Sequence, residues 1–301
     1  MTAEKLAAEF GIRGALDFVG VGDLVKAVVS LDGMQGELFL QGATVTRWQP
    51  AGERPVIFTS PNAIFAPGTA VRGGIPIIFP WFGPKRDEPK APQHGFVRAA
   101  PWQLERAETS RPGEVTLSLS IEPAQPMSPF WPELFRAVYT VSFGKTLSVS
   151  LAVQNRAGHE IVFEEALHTY FAVSDIAKVS VSGLAGTTYI DKVDGARRKT
   201  QDAAPIKLSG ETDRVYLGTP RQVAIEDPEW RRRIVIEKDG AASTVVWNPW
   251  NEKAAAMKDL GADAWVSMIC VETGNAADNE VRLAAGGEHR LSTRIAVDAI
   301  K

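Results

Sequence analysis

The sequence holds one cysteine, Cys270, among 301 residues. A lone thiol excludes an intrachain disulfide framework and any multi-cysteine metal site, and it fits a reducing compartment. Histidine is also scarce. His94, His159, His168 and His289 lie far apart, at no spacing typical of zinc ligands, so no metal centre is expected. A dominant charge sign is missing as well: 33 basic residues against 36 acidic give a net charge of -3. That balance offers no general attraction for nucleic acid or an anionic membrane surface, although a local group of arginines can still hold a small anion. No apolar run is long enough to cross a bilayer, and the N-terminus lacks the basic-then-apolar layout of a secretory leader. The expectation is a soluble, cytoplasmic protein. Collagen-like triplets, long heptad runs, a Walker A loop, H-E-x-x-H and G-x-S-x-G are all absent. Gly20-Val-Gly22 lacks the third glycine of a dinucleotide fingerprint.

What is present is an ordinary globular composition, 45% apolar and 23% charged, which rules out wholesale disorder. A short N-terminal helix is expected, with Thr2 as N-cap, Glu4 in the first turn, and Leu6 and Phe10 on one face. Strands dominate after it. Val115-Thr-Leu-Ser-Leu-Ser-Ile121 alternates apolar and hydroxyl residues, the period of a sheet with one buried face. Similar runs occur at 137–143, 147–153, 178–182, 222–225, 233–237, 243–247, 265–272 and 290–297. Helical periodicity between them is too sparse for repeated βαβ units. The pattern predicts an all-β protein: one large antiparallel β-sandwich, residues 1–301, with no linker dividing it. The Gly- and Pro-rich stretch from Pro61 to Pro92, which contains Ile75-Pro-Ile-Ile-Phe79, reads as a long ordered loop.

In Val162-Phe-Glu-Glu-Ala-Leu-His-Thr-Tyr-Phe-Ala-Val173, period-two geometry puts Phe163, Leu167, Phe171 and Val173 on a core face. Glu164, His168 and Tyr170 share the other face, which has the character of a polar groove. A histidine simply hydrogen-bonded within a sheet fits the same pattern. Glu272 ends Trp265-Val-Ser-Met-Ile-Cys-Val-Glu272, apolar on both faces and so a central strand. A carboxylate there is partnered, lines a cavity, or is a solvated strand end. Arg72-Gly-Gly-Ile-Pro76 and Gln93-His-Gly-Phe-Val-Arg98 bracket the irregular stretch. Glycine beside arginine allows close backbone approach to a ligand while a guanidinium grips an anion, though two plain turns would look the same. Trp81 and Trp250 could stack on a sugar ring, but core packing is the commoner use of tryptophan. Cys270 reads as a reduced core thiol, and Asn248-Pro-Trp250 as a turn.

Together these segments resemble the glucose-6-phosphate 1-epimerase (hexose-6-phosphate mutarotase) family within the aldose 1-epimerase group. The resemblance rests on Arg72-Gly-Gly-Ile-Pro-Ile-Ile-Phe-Pro-Trp-Phe-Gly83, Pro92-Gln-His-Gly-Phe-Val-Arg98, Leu167-His-Thr-Tyr-Phe171, Trp247-Asn-Pro-Trp250 and Met268-Ile-Cys-Val-Glu-Thr-Gly274. These occur in the family's order over roughly three quarters of the chain. Thr273 departs from the proline or alanine more usual after the glutamate, and residues Thr187 to Ala204 add little.

The resemblance implies a galactose mutarotase-like β-supersandwich and cofactor-free interconversion of the α and β anomers of an aldohexose 6-phosphate. Carried over by motif, Glu272 is the general base on the anomeric hydroxyl and His168 the acid on the ring oxygen. They would stand on opposite sides of the hemiacetal, His168 protonated and Glu272 ionised. Arg72 and Arg98 take the 6-phosphate with Gln93 beside them, Asp213 accepts from sugar hydroxyls, and His94 lines the site. Two alternatives stay open: an epimerase of unphosphorylated aldoses, and a carbohydrate-binding module without turnover. Oligomeric state is not legible.

Overall fold

A computed structural model describes residues 1–300. The N-terminal helix spans Ala3–Phe10, with the Thr2 side chain accepting from the Lys5 N–H at 3.4 Å and Leu6 buried. Beyond it the chain is built of antiparallel strands in two eight-stranded sheets, a four-stranded sheet and a two-stranded one. The four-stranded sheet is a meander, Leu16–Val21, Leu24–Leu31, Met34–Phe39 and Thr44–Gln49.

One large sheet runs, in spatial order, Ser180–Ser182, Gln222–Asp227, Arg232–Asp239, Glu288–Ala299, Leu147–Asn155, Phe135–Phe143, Glu114–Ile121 and Gln103–Arg111. Its alternation is what the sequence promised. Val115, Leu117 and Leu119 are fully buried, while Thr116 and Ser118 on the other face hydrogen-bond across to Ser142 and Thr140, at 2.8 and 3.2 Å. The other large sheet runs Arg197–Thr200, Thr188–Asp191, Thr212–Leu217, Ser243–Asn248, Met268–Asn275, Glu165–Leu167 and Ile77–Ile78, with Tyr170–Ala172 also paired to Met268–Asn275.

A common core lies between the two. Leu117, Val141, Leu151, Ile236 and Leu291 from one sheet pack with Leu167, Phe171, Val246, Ile269 and Val271 from the other, and Phe163 of the two-stranded sheet joins the same core. Because strand side chains alternate, the neighbours of that second set point away from the sandwich. His168, Tyr170, Val245, Cys270 and Glu272 therefore share the outer face, where the smaller clusters Tyr170–Met268–Cys270 and Val215–Val245–Ala276 form a second apolar layer.

Two segments differ from expectation. Ala264–Ser267 is a 3-10 turn, and the strand begins only at Met268, because the chain must first climb out of a loop. Asn248-Pro-Trp250 opens a helix, Trp250–Ala256, rather than closing a hairpin; the Asn248 side chain accepts from the Trp250 N–H at 2.8 Å. No helix among the described residues is long and apolar enough to cross a membrane.

Candidate active site

The strand Met268–Asn275 is buried along its whole length. In its pairing with the segment around His168, Leu167 faces Thr273 and Tyr170 faces Cys270. The same antiparallel register puts His168 opposite Glu272, and cross-strand neighbours on one face are in contact range. The His168 Nε2 to Glu272 Oε1 distance is 3.3 Å, with both side chains almost wholly buried. Two residues further along, on the same face, Asp213, Trp247, Cys270 and Tyr170 form a row across four strands, since Asp213 pairs with Trp247 and Trp247 with Cys270. Sheet register alone thus assembles the floor from residues distant in sequence.

The walls come from loops. Tyr170 N–H donates to the Gly74 carbonyl and His168 N–H to that of Pro76, which stitches the Arg72 loop to the floor. Gly74 takes a φ of +75°, and a Cβ there would lie 2.3 Å from the Val45 carbonyl oxygen, so only glycine fits. Arg72 is clamped: Nε donates to Asp259 at 3.0 Å and Nη1 to the Tyr170 hydroxyl at 3.2 Å. A part-exposed ion pair of this kind adds only ~0–1 kcal/mol of stability, so orientation of the guanidinium is its larger effect. Arg98 sits on a 3-10 turn, Val97–Ala99, and donates to the Gln93 carbonyl at 2.7 Å. Gly95, at φ +71°, brings the backbone so close to Phe79 that a Cβ would lie 1.8 Å from its carbonyl oxygen. His94 is held twice by Gly83: its N–H donates to the Gly83 carbonyl, and its Nδ1 accepts from the Gly83 N–H at 3.1 Å. The neutral ring therefore carries its proton on Nε2.

These surfaces enclose a cavity of about 380 Å³. All seven candidates, Arg72, Gln93, His94, Arg98, His168, Asp213 and Glu272, line it. Tyr170, expected on the groove face, lines it as well, and so do Lys192, Lys253, Trp247, Phe82 and Met257, to which sequence reasoning gave no role. Lys192 follows a strand in the segment from Thr187 to Ala204, where no pattern marks it; its Nζ lies 4.5 Å from the Phe82 ring centre. Glu164 departs from the groove role expected of it. Its carboxylate accepts from the Phe82 and Ala277 N–H groups at 2.8 and 2.7 Å, and so anchors the loop. Trp81 is buried, donating to the Pro92 carbonyl, and Trp250 packs on Trp265; neither lines the cavity.

The electrostatics correct the expected starting state. Burial pushes His168 far below an ordinary imidazole, and the guanidiniums of Arg98 and Arg72 push the same way. Burial likewise raises Glu272 well above an ordinary carboxylate, and Asp213 adds to the shift. Desolvation of two buried groups outweighs their mutual attraction, so the pair rests as neutral imidazole beside carboxylic acid. The expected imidazolium and carboxylate have the same total of protons, one transfer away. The two groups stand side by side, with His168 Nε2 and Glu272 Oε1 3.3 Å apart. Burial also lowers His94 and raises Asp213, and it brings Arg98 down to about 10, still a cation at neutral pH. The Cys270 thiol is buried and raised well above its ordinary value, which suits an inert core group.

The antiparallel sandwich that carries this cavity is shared with known proteins. Residues 28–296 match the family Aldose 1-epimerase, and the chain belongs to that family of sugar isomerases. Among individual relatives, two carry the name "Putative glucose-6-phosphate 1-epimerase". The one from Cenchrus ciliaris is 36% identical, over 88% of this chain and 81% of its own. The one from Escherichia coli (strain K12) is also 36% identical, over 86% and 85%. The crystal structure of a mutarotase (YeaD), so described provisionally, from Salmonella typhimurium superposes with a TM-score of 0.89 at 32% identity, covering 96% of both chains.

Proposed function

We propose that this epimerase acts on aldohexose 6-phosphates, opening and reclosing the pyranose ring without a cofactor. The observation that carries the reading is the combination in one cavity of a buried acid–base pair with two guanidiniums, Arg72 and Arg98. A phosphate dianion matches two guanidinium forks better than two ammonium groups, and a neutral sugar would bring no charge to Arg98, whose hydrogen-bond partner is the Gln93 carbonyl, whereas Arg72 already pairs with Asp259. The volume suits a ligand of this size.

The chemistry follows from the side-by-side pair. The anomeric hydroxyl and the ring oxygen are bonded to the same carbon, so two adjacent groups reach both. In the transferred state, Glu272 takes the proton of the anomeric hydroxyl while His168 gives its proton to the ring oxygen. The bond from C1 to the ring oxygen breaks and a C1 aldehyde forms. Rotation about C1–C2 presents the other face of the aldehyde; closure then reverses both transfers, and no proton is gained or lost overall. Asp213 and the His94 Nε2–H supply an acceptor and a donor for sugar hydroxyls. Gln93 stands beside Arg98.

Replacing Arg72 and Arg98 together by alanine tests the substrate assignment. Each charge-assisted contact is worth about 1.5–3 kcal/mol, so KM for glucose 6-phosphate should rise at least about a hundredfold. Any activity on glucose should fall far less. Unchanged KM for the phosphorylated sugar would reject the assignment.

A further inference from the structure

Tyr170 touches both working ends of the cavity. Its hydroxyl accepts from Arg72 Nη1 at 3.2 Å, and its ring lies flat on His168, with centroids 4.8 Å apart and planes within 13°. His168 in turn meets Glu272 at 3.3 Å. A continuous line of contact therefore runs from an anion-binding guanidinium to the proton-transfer pair, through one side chain that sequence gave no task. Asp259 holds the other side of the Arg72 guanidinium, through Nε.

Building on the hexose 6-phosphate reading, we propose that Tyr170 is a positioning residue that couples occupancy of the arginine pair to the reactivity of His168. A free dianion bound there then accelerates ring opening of a sugar that carries no phosphate. Two effects act together. An anion on the guanidinium fork adds a contact to an Arg72 already held by Asp259 and Tyr170, and so narrows further the position of the Tyr170 hydroxyl and of the ring stacked on the imidazole. It also cancels the positive charge that disfavours an imidazolium at His168, which makes the transfer from Glu272 easier. Binding energy from a remote part of the substrate is thereby spent on the reacting centre. In the empty site neither effect operates, which biases the enzyme against unphosphorylated sugars beyond simple affinity.

The probe pair is xylose, which lacks C6 and leaves room in the arginine pocket, and inorganic phosphite. Mutarotation is followed by polarimetry, with enzyme-free blanks subtracted because phosphite is itself a weak catalyst. Phosphite should raise the enzyme-dependent kcat/KM for xylose about tenfold, a typical size for coupling between sites. Tyr170→Phe keeps the ring and removes only the hydroxyl, so the activation ratio should fall to about threefold, the part that charge cancellation alone leaves. Asp259→Asn, which loosens Arg72 without touching Tyr170, should demand more phosphite yet reach the wild-type maximum. Full activation in Tyr170→Phe would overturn the proposal. It would also be overturned if phosphite inhibited wild-type turnover of glucose 6-phosphate competitively but left xylose unaffected; the arginine reading would then stand while the coupling failed. If phosphite neither inhibited nor activated, the coupling and the arginine reading would fall together. These wild-type arms decide the matter even should Tyr170→Phe prove unstable.

Discussion

At the scale of single residues, the central feature is the contact between His168 and Glu272, 3.3 Å apart and almost wholly buried at the floor of the cavity. An ordinary histidine titrates near 6.5. Burial and two guanidiniums hold His168 far below that, so its ring stays neutral in the free protein through the physiological range. Nitrogen chemical shifts of labelled histidine, with His168→Asn used for assignment, should show no titration of this ring between about pH 5 and 8. A midpoint near 6.5 would contradict the depressed value, and a ring still charged at about pH 8 would mean that the resting state is an imidazolium after all. Glu272→Gln keeps the shape and removes the base, and it lowers turnover by about 10²–10⁴-fold with little change in sugar-phosphate affinity. Anomer exchange at saturating substrate measures the first quantity and calorimetric titration the second. That His168 and Glu272 share one site was legible in sequence because motif and strand phase agreed on both residues. Its protonation was not, since that depends on desolvation, which only packing reveals. Lys192 and Asp259 were invisible for a different reason. Each is a single charged side chain outside the strands, Lys192 at the cavity wall and Asp259 behind Arg72, brought there by the path of the chain rather than by any local pattern.

At the scale of elements, the site depends on a few backbone contacts that tolerate no added atoms. Gly95→Ala puts a methyl into the Phe79 carbonyl at a left-handed residue. It should cost at least about 2 kcal/mol, measured as a shift in the urea midpoint, and reduce sugar-phosphate binding by displacing His94 and Arg98. A second contact joins the layers. His289 Nε2, on a strand of one large sheet, meets the buried Glu165 of the other at 2.8 Å, and Asn275 also donates to Glu165 at 3.1 Å. The hydrogen bond to Glu165 raises His289 above its ordinary value. A pKa raised on folding gives stability that is complete below the unfolded value near 6.5 and is lost as pH climbs through the folded value. The urea midpoint should therefore fall between pH 6 and pH 9, and His289→Gln should flatten that dependence. Element by element, alternation located most strands: the run 115–121 became Glu114–Ile121, and 147–153 became Leu147–Asn155. It passed over the first meander, Leu16–Gln49, where Gly20, Gly36 and paired apolar residues blur the period, and the edge strand Gln103–Arg111, which is nearly all polar.

At the scale of the whole molecule, one contiguous apolar core runs from Leu6 in the N-terminal helix to Ile295 in the last strand, through both large sheets. We take the chain as a single domain on that basis. Urea unfolding followed by tryptophan fluorescence and by far-ultraviolet circular dichroism should give coincident, single transitions; two resolved steps would divide the chain. The division of labour across the sheet explains how such a core carries chemistry. One face of the Met268–Asn275 strand builds the sandwich while the other holds Glu272, so catalytic geometry inherits the rigidity of the core. The most direct measurement of the central claim is anomeric exchange by NMR on equilibrated glucose 6-phosphate, with glucose in a parallel sample. Protein-dependent exchange in the phosphorylated sample, at rates far above those for glucose, is the predicted result. Exchange no faster than the protein-free control in the phosphorylated sample would contradict the account.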